Sequence, residues 1–220
     1  MIQRPTWFLL LFGWLALVDA LAHHDPEIDA NQLTETIQSE GATAALLCER
    51  ALRWRTLRKL DLAIRDWKLA LELDPASFEA AHELTKAYIS EGKLKEAFAT
   101  VNKSLDGKLT DSGEQARLLM MRVLILTLWK SYEKAGDDCD QAFALLPEHG
   151  RIDWFLKRAH VQRMRGLFEA CERGLKEAYA AIPSIVLYSE WIDSLIDAKQ
   201  YETALKEIEA QLPGLRFSAP

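Results

Sequence analysis

Residues 44–75 have the sequence AALLCERALRWRTLRKLDLAIRDWKLALELDP. Small residues recur in this stretch at helical spacing, with the larger Trp54, Leu60 and Trp67 between them. A small residue at a helix crossing permits close approach of two backbones, and a neighbouring aromatic side chain fills the space beside it. The stretch therefore predicts two helices packed on each other, with a tight turn between them and an end at Pro75.

The same pattern returns four more times along the chain. An aromatic residue or Leu is followed three residues later by a small one, at intervals of 34, 38, 36 and 33 residues. The five pairs are Leu60/Ala63, Leu94/Ala97, Tyr132/Ala135, Phe168/Cys171 and Tyr201/Ala204. A repeat of this length is typical of a solenoid, whose units bury their apolar faces only against one another. We expect Ala63 and Ala97 to be buried at helix crossings.

Further columns keep the same register. Seven residues after the small residue stands a second small one in four of the five units, namely Ala70, Ser104, Ala142 and Ala178, whereas the fifth has Gln211. Two positions before Leu94 and Phe168, at the predicted turns, stand Gly92 and Gly166, which adopt positive φ without steric cost. The other three turns have Arg58, Lys130 and Lys199 there.

Taken together, these columns resemble the tetratricopeptide repeat family. The first unit matches it with Ala51, Trp54, Leu60, Ala63, Trp67, Ala70 and Pro75, and the second with Leu84, Tyr88, Gly92, Leu94, Ala97, Val101 and Ser104. Later units are degenerate, and four extra residues lie near 107–113. The resemblance covers residues 42–212, about five repeats, and implies an all-α fold of tandem helix-turn-helix repeats stacked as a right-handed solenoid.

The first residues have a different composition. Arg4 precedes the apolar stretch Thr6–Val18, and Ala20-Leu21-Ala22 provides an A-x-A site, so residues 1–22 are predicted to be a secretory signal peptide. A retained membrane anchor is the alternative, although the apolar stretch is shorter than the roughly twenty residues of a spanning helix. We expect an exported protein, periplasmic or secreted, in a bacterial envelope, with no stable membrane span after cleavage.

Residues 23–41 form the next segment. Asp25-Pro26 is a typical helix start, and the apolar residues that follow predict a helix that caps the first repeat. His23 and His24 lie at the expected new N-terminus, a placement able to hold copper(II) with backbone nitrogens. The alternative, a polar and exposed start that helps the signal peptidase reach its site, is the one we favour, so no metal centre is expected.

Three cysteines, Cys48, Cys139 and Cys171, are an odd number for a disulfide framework. All fall at helix positions of the repeat, two of them in its small or aromatic core columns. We interpret them as buried thiols that act as small hydrophobic groups. A Cys139–Cys171 bridge between neighbouring second helices is the alternative.

Signals of catalysis are scarce. The chain has no Gly-rich phosphate loop, nucleophile elbow, Cys-x-x-Cys or His-Glu-x-x-His motif, so we expect neither an enzyme nor a cofactor. The carboxylates of Asp137, Asp138 and Asp140 stand at the start of a predicted helix, where acidic residues are favoured electrostatically. A net charge of −6, which loss of Arg4 and Asp19 leaves unchanged, argues against nucleic acid as the main partner.

These observations favour a non-enzymatic protein–protein interaction module that binds a partner's peptide in a concave groove. Alternatives are an accessory or regulatory subunit of an envelope enzyme complex, and copper handling by the N-terminal His pair. In the family the groove is lined by the second, fifth, ninth, twelfth and thirteenth residues of each first helix. Here this selects Arg55, Thr56, His82, Lys86, Met120, Leu124, Thr127, His160 and Arg163.

This line of residues places cations near both ends and an apolar patch between them. It suits a peptide that offers an apolar anchor to Met120 and Leu124 and carboxylates to Lys86 and Arg163. The alternative is that these are ordinary solvated positions.

The C-terminal edge of the array is a predicted weak point. The last helix, about residues 201–212, is followed only by the tail 213–220, which is too short for a capping helix. Leu205 and Ile208 are therefore expected to be partly exposed. Either Leu215 and Phe217 fold back over this edge or another chain covers it, and we expect weak self-association.

Overall fold

The computed structural model describes residues 25–107, 109, 111–146 and 151–211. In these residues it contains eleven α-helices and no strand. The helices are α1 (Pro26–Glu40), α2 (Ala44–Thr56), α3 (Leu60–Leu73), α4 (Phe78–Ser90), α5 (Leu94–Asp106), α6 (Ser112–Leu128), α7 (Tyr132–Leu145), α8 (Ile152–Met164), α9 (Phe168–Ala181), α10 (Ile185–Asp197) and α11 (Tyr201–Gln211). The predicted all-α fold of helix-turn-helix repeats is confirmed.

The chain forms two compact units that divide after Ala80. In the first unit α1 packs on α2 and α2 on α3. Helix α1 begins at Pro26, and the side chain of Asp25 accepts a hydrogen bond from the backbone N–H of Glu27 at 2.9 Å. Ala63, as expected, is fully buried, and the indole of Trp67 is buried with it.

In the second unit α6 packs on α7, α9 contacts both α8 and α10, and α10 contacts α11. The small-residue column is buried throughout: Ala97, Ala135 and Cys171 are fully buried, and Ala204 nearly so. The burial expected for Ala97 is therefore confirmed. Helix α6 has 17 residues where α4 has 13, so the four extra residues of the sequence lengthen this helix by about one turn.

Each hairpin turns through one residue of positive φ. Gly92 and Gly166 have φ of 71° and 74°, and the three residues that replace glycine have φ between 58° and 61°. They are Arg58, Lys130 and Lys199. The hairpin turn therefore requires the left-handed conformation at this position, even where the residue has a Cβ that makes this conformation unfavourable.

The three cysteines are free and buried, so the alternative Cys139–Cys171 bridge is not formed. Burial raises the pKa of the Cys48 thiol to about 11 and that of Cys139 to about 12. They pack as small apolar side chains, as the sequence indicated.

At the end of the second unit Leu205 is 57% exposed and Ile208 is 36% exposed, as expected. The predicted signal peptide, the His23–His24 pair and the tail with Leu215 and Phe217 lie outside the described residues. Among the helices that the structure describes, none has the length and apolar character needed to cross a bilayer.

Candidate functional site

Helices α4, α6 and α8 border an open cavity of about 630 Å³ in the second unit. It is lined by His82, Lys86, Ile89, Ser90, Arg117, Met120, Met121, Leu124, Arg151, Asp153, Trp154 and Lys157. All three helices are first helices of their hairpins. The cavity therefore arises from the stacking of successive repeats.

The floor of the cavity is apolar. Met120 and Trp154 are almost fully buried and belong to the core of the second unit, while Leu124 and Met121 are half-buried. An unbranched methionine beside a leucine adapts readily to the shape of an incoming side chain. The floor can therefore accept an aliphatic or aromatic group without opening the core.

The rim of the cavity is cationic. Lys86, Arg117, Arg151 and Lys157 line it, and Asp153 is the one carboxylate among the described lining residues. Lys86 also lies 3.2 Å from the carboxylate of Glu83. Among the described lining residues four cationic side chains stand against one carboxylate, although the whole chain carries −6.

Asp153 lies between two of these cations. Its Oδ1 accepts a hydrogen bond from Arg151 Nε at 3.1 Å, and its Oδ2 accepts one from Lys157 Nζ at 3.0 Å. Partial burial acts to raise the pKa of Asp153, but the hydrogen bonds and charges of Lys157 and Arg151 outweigh it and hold the pKa below its ordinary value. Asp153 is therefore ionised at neutral pH.

The structure brings together four of the nine residues selected from the sequence, namely His82, Lys86, Met120 and Leu124. The other five are not among the residues that line this cavity. Arg55 and Thr56 are exposed in the first unit, Thr127 is half-buried, and His160 is exposed with its ring 6.3 Å from that of Tyr132.

Arg163 is engaged within the second unit. Its Nη2 donates to Glu190 Oε2 at 2.8 Å, and its Nε lies 3.3 Å from Asp197 Oδ2. Partial burial acts to lower the pKa of Arg163, but the contact with Glu190 outweighs it and raises the pKa. The cation expected to meet a partner's carboxylate is therefore already balanced by carboxylates of this chain.

The lining residues that were not selected from the sequence are Ile89, Ser90, Arg117, Met121, Arg151, Asp153, Trp154 and Lys157. Arg117 and Asp153 correspond to the second position of the family's first helix, so the family pattern itself indicates them. Arg117 is nevertheless the sixth residue of α6, because that helix begins four residues earlier than the pattern. Lys157 and Trp154 line the cavity at positions that the family pattern does not include.

Within the residues that the structure describes, no three side chains of His, Cys, Asp or Glu are grouped to hold a metal ion. In the acidic cluster of α7, Asp138 is paired with Arg122 at 2.6 Å.

No protein-family model matches the chain. It is 30% identical over 135 residues to small glutamine-rich tetratricopeptide repeat-containing protein 2 of Saccharomyces cerevisiae, an alignment that covers 60% of this chain and 36% of that protein. The chain thus spans little more than a third of this relative's length.

Solved structures share the fold. A tetratricopeptide repeat protein from Parabacteroides merdae matches with a TM-score of 0.65 at 20% identity, covering 94% of this chain and 79% of that protein. YrrB, a tetratricopeptide repeat protein with an unusual peptide-binding site, matches with a TM-score of 0.67 at 16% identity, covering 82% of this chain and 90% of YrrB. At these identities the likeness concerns the fold.

Proposed function

We propose, from the premise that the chain is a tetratricopeptide repeat protein, that it binds a peptide segment of a partner protein in the cavity of α4, α6 and α8. The observation that carries the proposal is the juxtaposition of an apolar floor at Met120 and Leu124 with a cationic rim. YrrB, which shares the fold, has a peptide-binding site. The role is a non-enzymatic scaffold or adaptor in an exported or periplasmic protein.

The cavity suits one chemistry best. An aliphatic or aromatic side chain of the partner would pack on Met120 and Leu124, and neighbouring carboxylates would meet Lys86 and Lys157. Buried apolar anchors supply most of the affinity in such interfaces, whereas charges at the rim speed association and exclude basic partners. The partner segment is therefore acidic with an apolar anchor.

The test uses immobilised protein to recover partners from a cell extract, with identification by mass spectrometry. The affinity of each recovered partner is then measured for the parent, for Leu124→Asp and for the double variant Lys86→Glu/Lys157→Glu. Lys95→Glu/Lys206→Glu is the matched control, because both lysines are exposed, lie in the second unit and do not line the cavity.

We expect Leu124→Asp and Lys86→Glu/Lys157→Glu to lose binding while the control retains it. Circular dichroism checks that every variant stays folded, since charges at exposed positions contribute little to stability. If the partner binds both cavity variants as tightly as the parent, the cavity is not its site.

A further inference from the structure

Large apolar side chains are concentrated at three hairpin turns of the second unit. Among the described residues of that unit, eleven large apolar side chains are exposed, and six of them lie in a turn or at the helix end beside it. They are Leu128 and Trp129 at the α6–α7 turn, Met164, Leu167 and Phe168 at the α8–α9 turn, and Tyr201 at the α10–α11 turn. The repeat does not require this, because the α4–α5 turn has the exposed polar residues Ser90 and Glu91 in the register of Leu128 and Trp129.

The three apolar turns lie side by side and form a surface that we call the turn edge. Glu133 Oε2 at the first turn is 2.7 Å from Arg165 Nη2 at the second. One open depression of about 450 Å³ is lined by residues of both the second and the third turn. Because turns project beyond the helix ends, the edge is a ridge, and contiguous exposed apolar surface of this kind marks an interaction site.

Cations accompany the apolar side chains at the turn edge. Lys130 and Lys199 are exposed at the tips of their turns, next to Trp129 and two residues from Tyr201, and Arg173 lines the depression. Within the described part of the chain none of these three cations has an ion pair. Both lysines have a φ near 60°, which is strained for any residue with a Cβ. Two strained turns therefore carry a charge where an unstrained glycine would carry none.

Carboxylates at the turn edge offset these cations in part. Glu169 and Glu202 stand at the starts of α9 and α11, and neither has an ion pair among the described residues. The edge is therefore close to neutral, whereas the whole chain carries −6. A negatively charged surface repels this edge less than it repels the rest of the chain.

We propose that the turn edge rests on the surface of a phospholipid membrane. Its apolar side chains enter the boundary between headgroups and acyl chains, where tryptophan and tyrosine are favoured. Lys130 and Lys199 reach lipid phosphates while their stems stay against the apolar side chains. A fluid bilayer adapts to a ridge of this kind without a shaped groove. The proposal is independent of peptide binding in the cavity of α4, α6 and α8.

The experiment measures co-sedimentation of the whole 220-residue chain with vesicles. One set is phosphatidylcholine alone, and the other is phosphatidylcholine and phosphatidylglycerol, three parts to one. The edge variants are Leu128→Gln/Leu167→Gln and Lys130→Gly/Lys199→Gly. Every variant keeps the same residues 1–24, so the predicted signal peptide contributes equally to all.

The matched control is Ile185→Gln/Leu205→Gln. Both residues are exposed apolar side chains of the second unit, at 69% and 57%, compared with 52% and 42% for Leu128 and Leu167. They lie away from the three turns, so the control removes similar apolar surface from elsewhere in the same unit.

We expect the parent to bind both kinds of vesicle, and the mixed vesicles more tightly. Leu128→Gln/Leu167→Gln should weaken binding to both at least about tenfold, because the inserted apolar area is lost. Lys130→Gly/Lys199→Gly should weaken binding to the mixed vesicles about fivefold for each lysine, and less to phosphatidylcholine. The same variant should resist urea better than the parent, because glycine relieves the turns. Weaker binding by a more stable protein excludes partial unfolding as the cause.

The control should bind as the parent does, and so should Leu124→Asp, whose substitution lies in the cavity. If the edge variants bind vesicles as tightly as the parent, or the control loses as much binding as they do, the membrane role of the turn edge is wrong. It is also wrong if the parent binds neither vesicle and forms dimers that Leu128→Gln/Leu167→Gln abolishes in sedimentation velocity, since the edge would then join two copies of this chain. Failure of peptide binding alone would leave the membrane role intact.

Discussion

Arg122 and Asp138 form a two-pronged ion pair across the α6–α7 hairpin. Arg122 Nε donates to one carboxylate oxygen of Asp138 at 2.7 Å and Nη2 to the other at 2.6 Å. The remaining nitrogen, Nη1, donates to Asn102 Oδ1 on α5 at 2.8 Å. This network links three consecutive helices through one guanidinium group, and the carboxylate of Asp138 is buried within it.

The first unit contains the same arrangement at the same register. Arg50 holds Asp66 at 2.8 and 2.7 Å, again sixteen residues apart, and its Nη1 donates to the hydroxyl of Thr34 on the preceding helix at 3.2 Å. A bidentate pair fixes the orientation of two helices more narrowly than apolar packing alone. The two networks therefore set the geometry of their hairpins.

Removal of the Asp138 carboxylate should destabilise the protein. Asp138→Ala leaves the partly buried guanidinium of Arg122 without its counter-charge, and we expect a loss of about 2–3 kcal/mol, below the range for fully buried pairs because Arg122 retains some contact with water. Urea unfolding measures the change. The control is Asp137→Ala on the exposed side of the same helix, expected within about 0.5 kcal/mol of the parent. Equal urea midpoints for the two variants would contradict a structural role for the ion pair.

The small-residue column should reject a larger side chain. Ala97 is fully buried, so Ala97→Leu would overpack the helix crossing at a cost of about 1–3 kcal/mol. Ala99 lies on the exposed face of the same helix, and Ala99→Leu should leave stability almost unchanged. Comparing the melting temperatures of Ala97→Leu and Ala99→Leu separates the effect of packing from that of helix propensity, because both variants replace alanine with leucine in the same helix. An unchanged melting temperature for Ala97→Leu would refute the repeat alignment.

The fold could be predicted from the sequence because its determinants are local and periodic. Small residues such as Ala97 and turn residues such as Lys130 recur at a fixed spacing, and each position has one steric requirement. The Arg122–Asp138 pair also follows a fixed spacing, but two occurrences in five units are too few to stand out. The cavity was harder to predict because the direction of Lys157 and Trp154 depends on how α8 rotates against its neighbours, which no local pattern specifies.

The turns offer a stabilising substitution. Lys130 has a φ of 58°, a conformation that glycine adopts without strain, so Lys130→Gly should raise the free energy of unfolding by about 0.5–1 kcal/mol. Gly166 provides the reverse test, because its added Cβ would meet open space and only the backbone would be strained. Gly166→Ala should therefore lower stability by about 1 kcal/mol. Chemical denaturation measures both, and a destabilised Lys130→Gly would count against strain at this turn.

The thiols should be unreactive in the folded protein. Burial raises the pKa of Cys48 to about 11 and that of Cys139 to about 12, so the reactive thiolate is scarce at pH 8 and the sulfur atoms are shielded as well. A thiol reagent should react slowly with native protein and rapidly with all three cysteines in denaturant. If only one thiol per chain reacted in denaturant, two of the cysteines would have to be joined by a disulfide.

Arg158 occupies the register of Arg50 and Arg122, but the residue sixteen positions later is Gly174 in place of an aspartate. Its guanidinium carbon lies 4.2 Å from the centre of the Phe143 ring, and its Nη2 is 2.9 Å from the point where a Cβ of Gly174 would stand. The guanidinium of Arg158 therefore occupies space that a side chain at position 174 would fill. Because the guanidinium stands at the end of a flexible side chain, it can shift and bind a carboxylate placed there.

Gly174→Asp should accordingly rebuild the ion pair of the other two units. The comparison is with Gly174→Ala, since alanine gains helix propensity but offers no charge, and aspartate is the poorer helix former by about 0.7 kcal/mol. If the pair forms with two charge-assisted hydrogen bonds, it should contribute about 1.2–1.7 kcal/mol. Gly174→Asp should then be the more stable variant by about 0.5–1 kcal/mol despite its lower helix propensity. In an Arg158→Met background the order should reverse, because the carboxylate then lacks its partner while the propensity difference remains. Urea unfolding of the four variants forms a double-mutant cycle that isolates the pair. An unchanged order of the two Gly174 variants in that background would show that Arg158 and residue 174 do not interact.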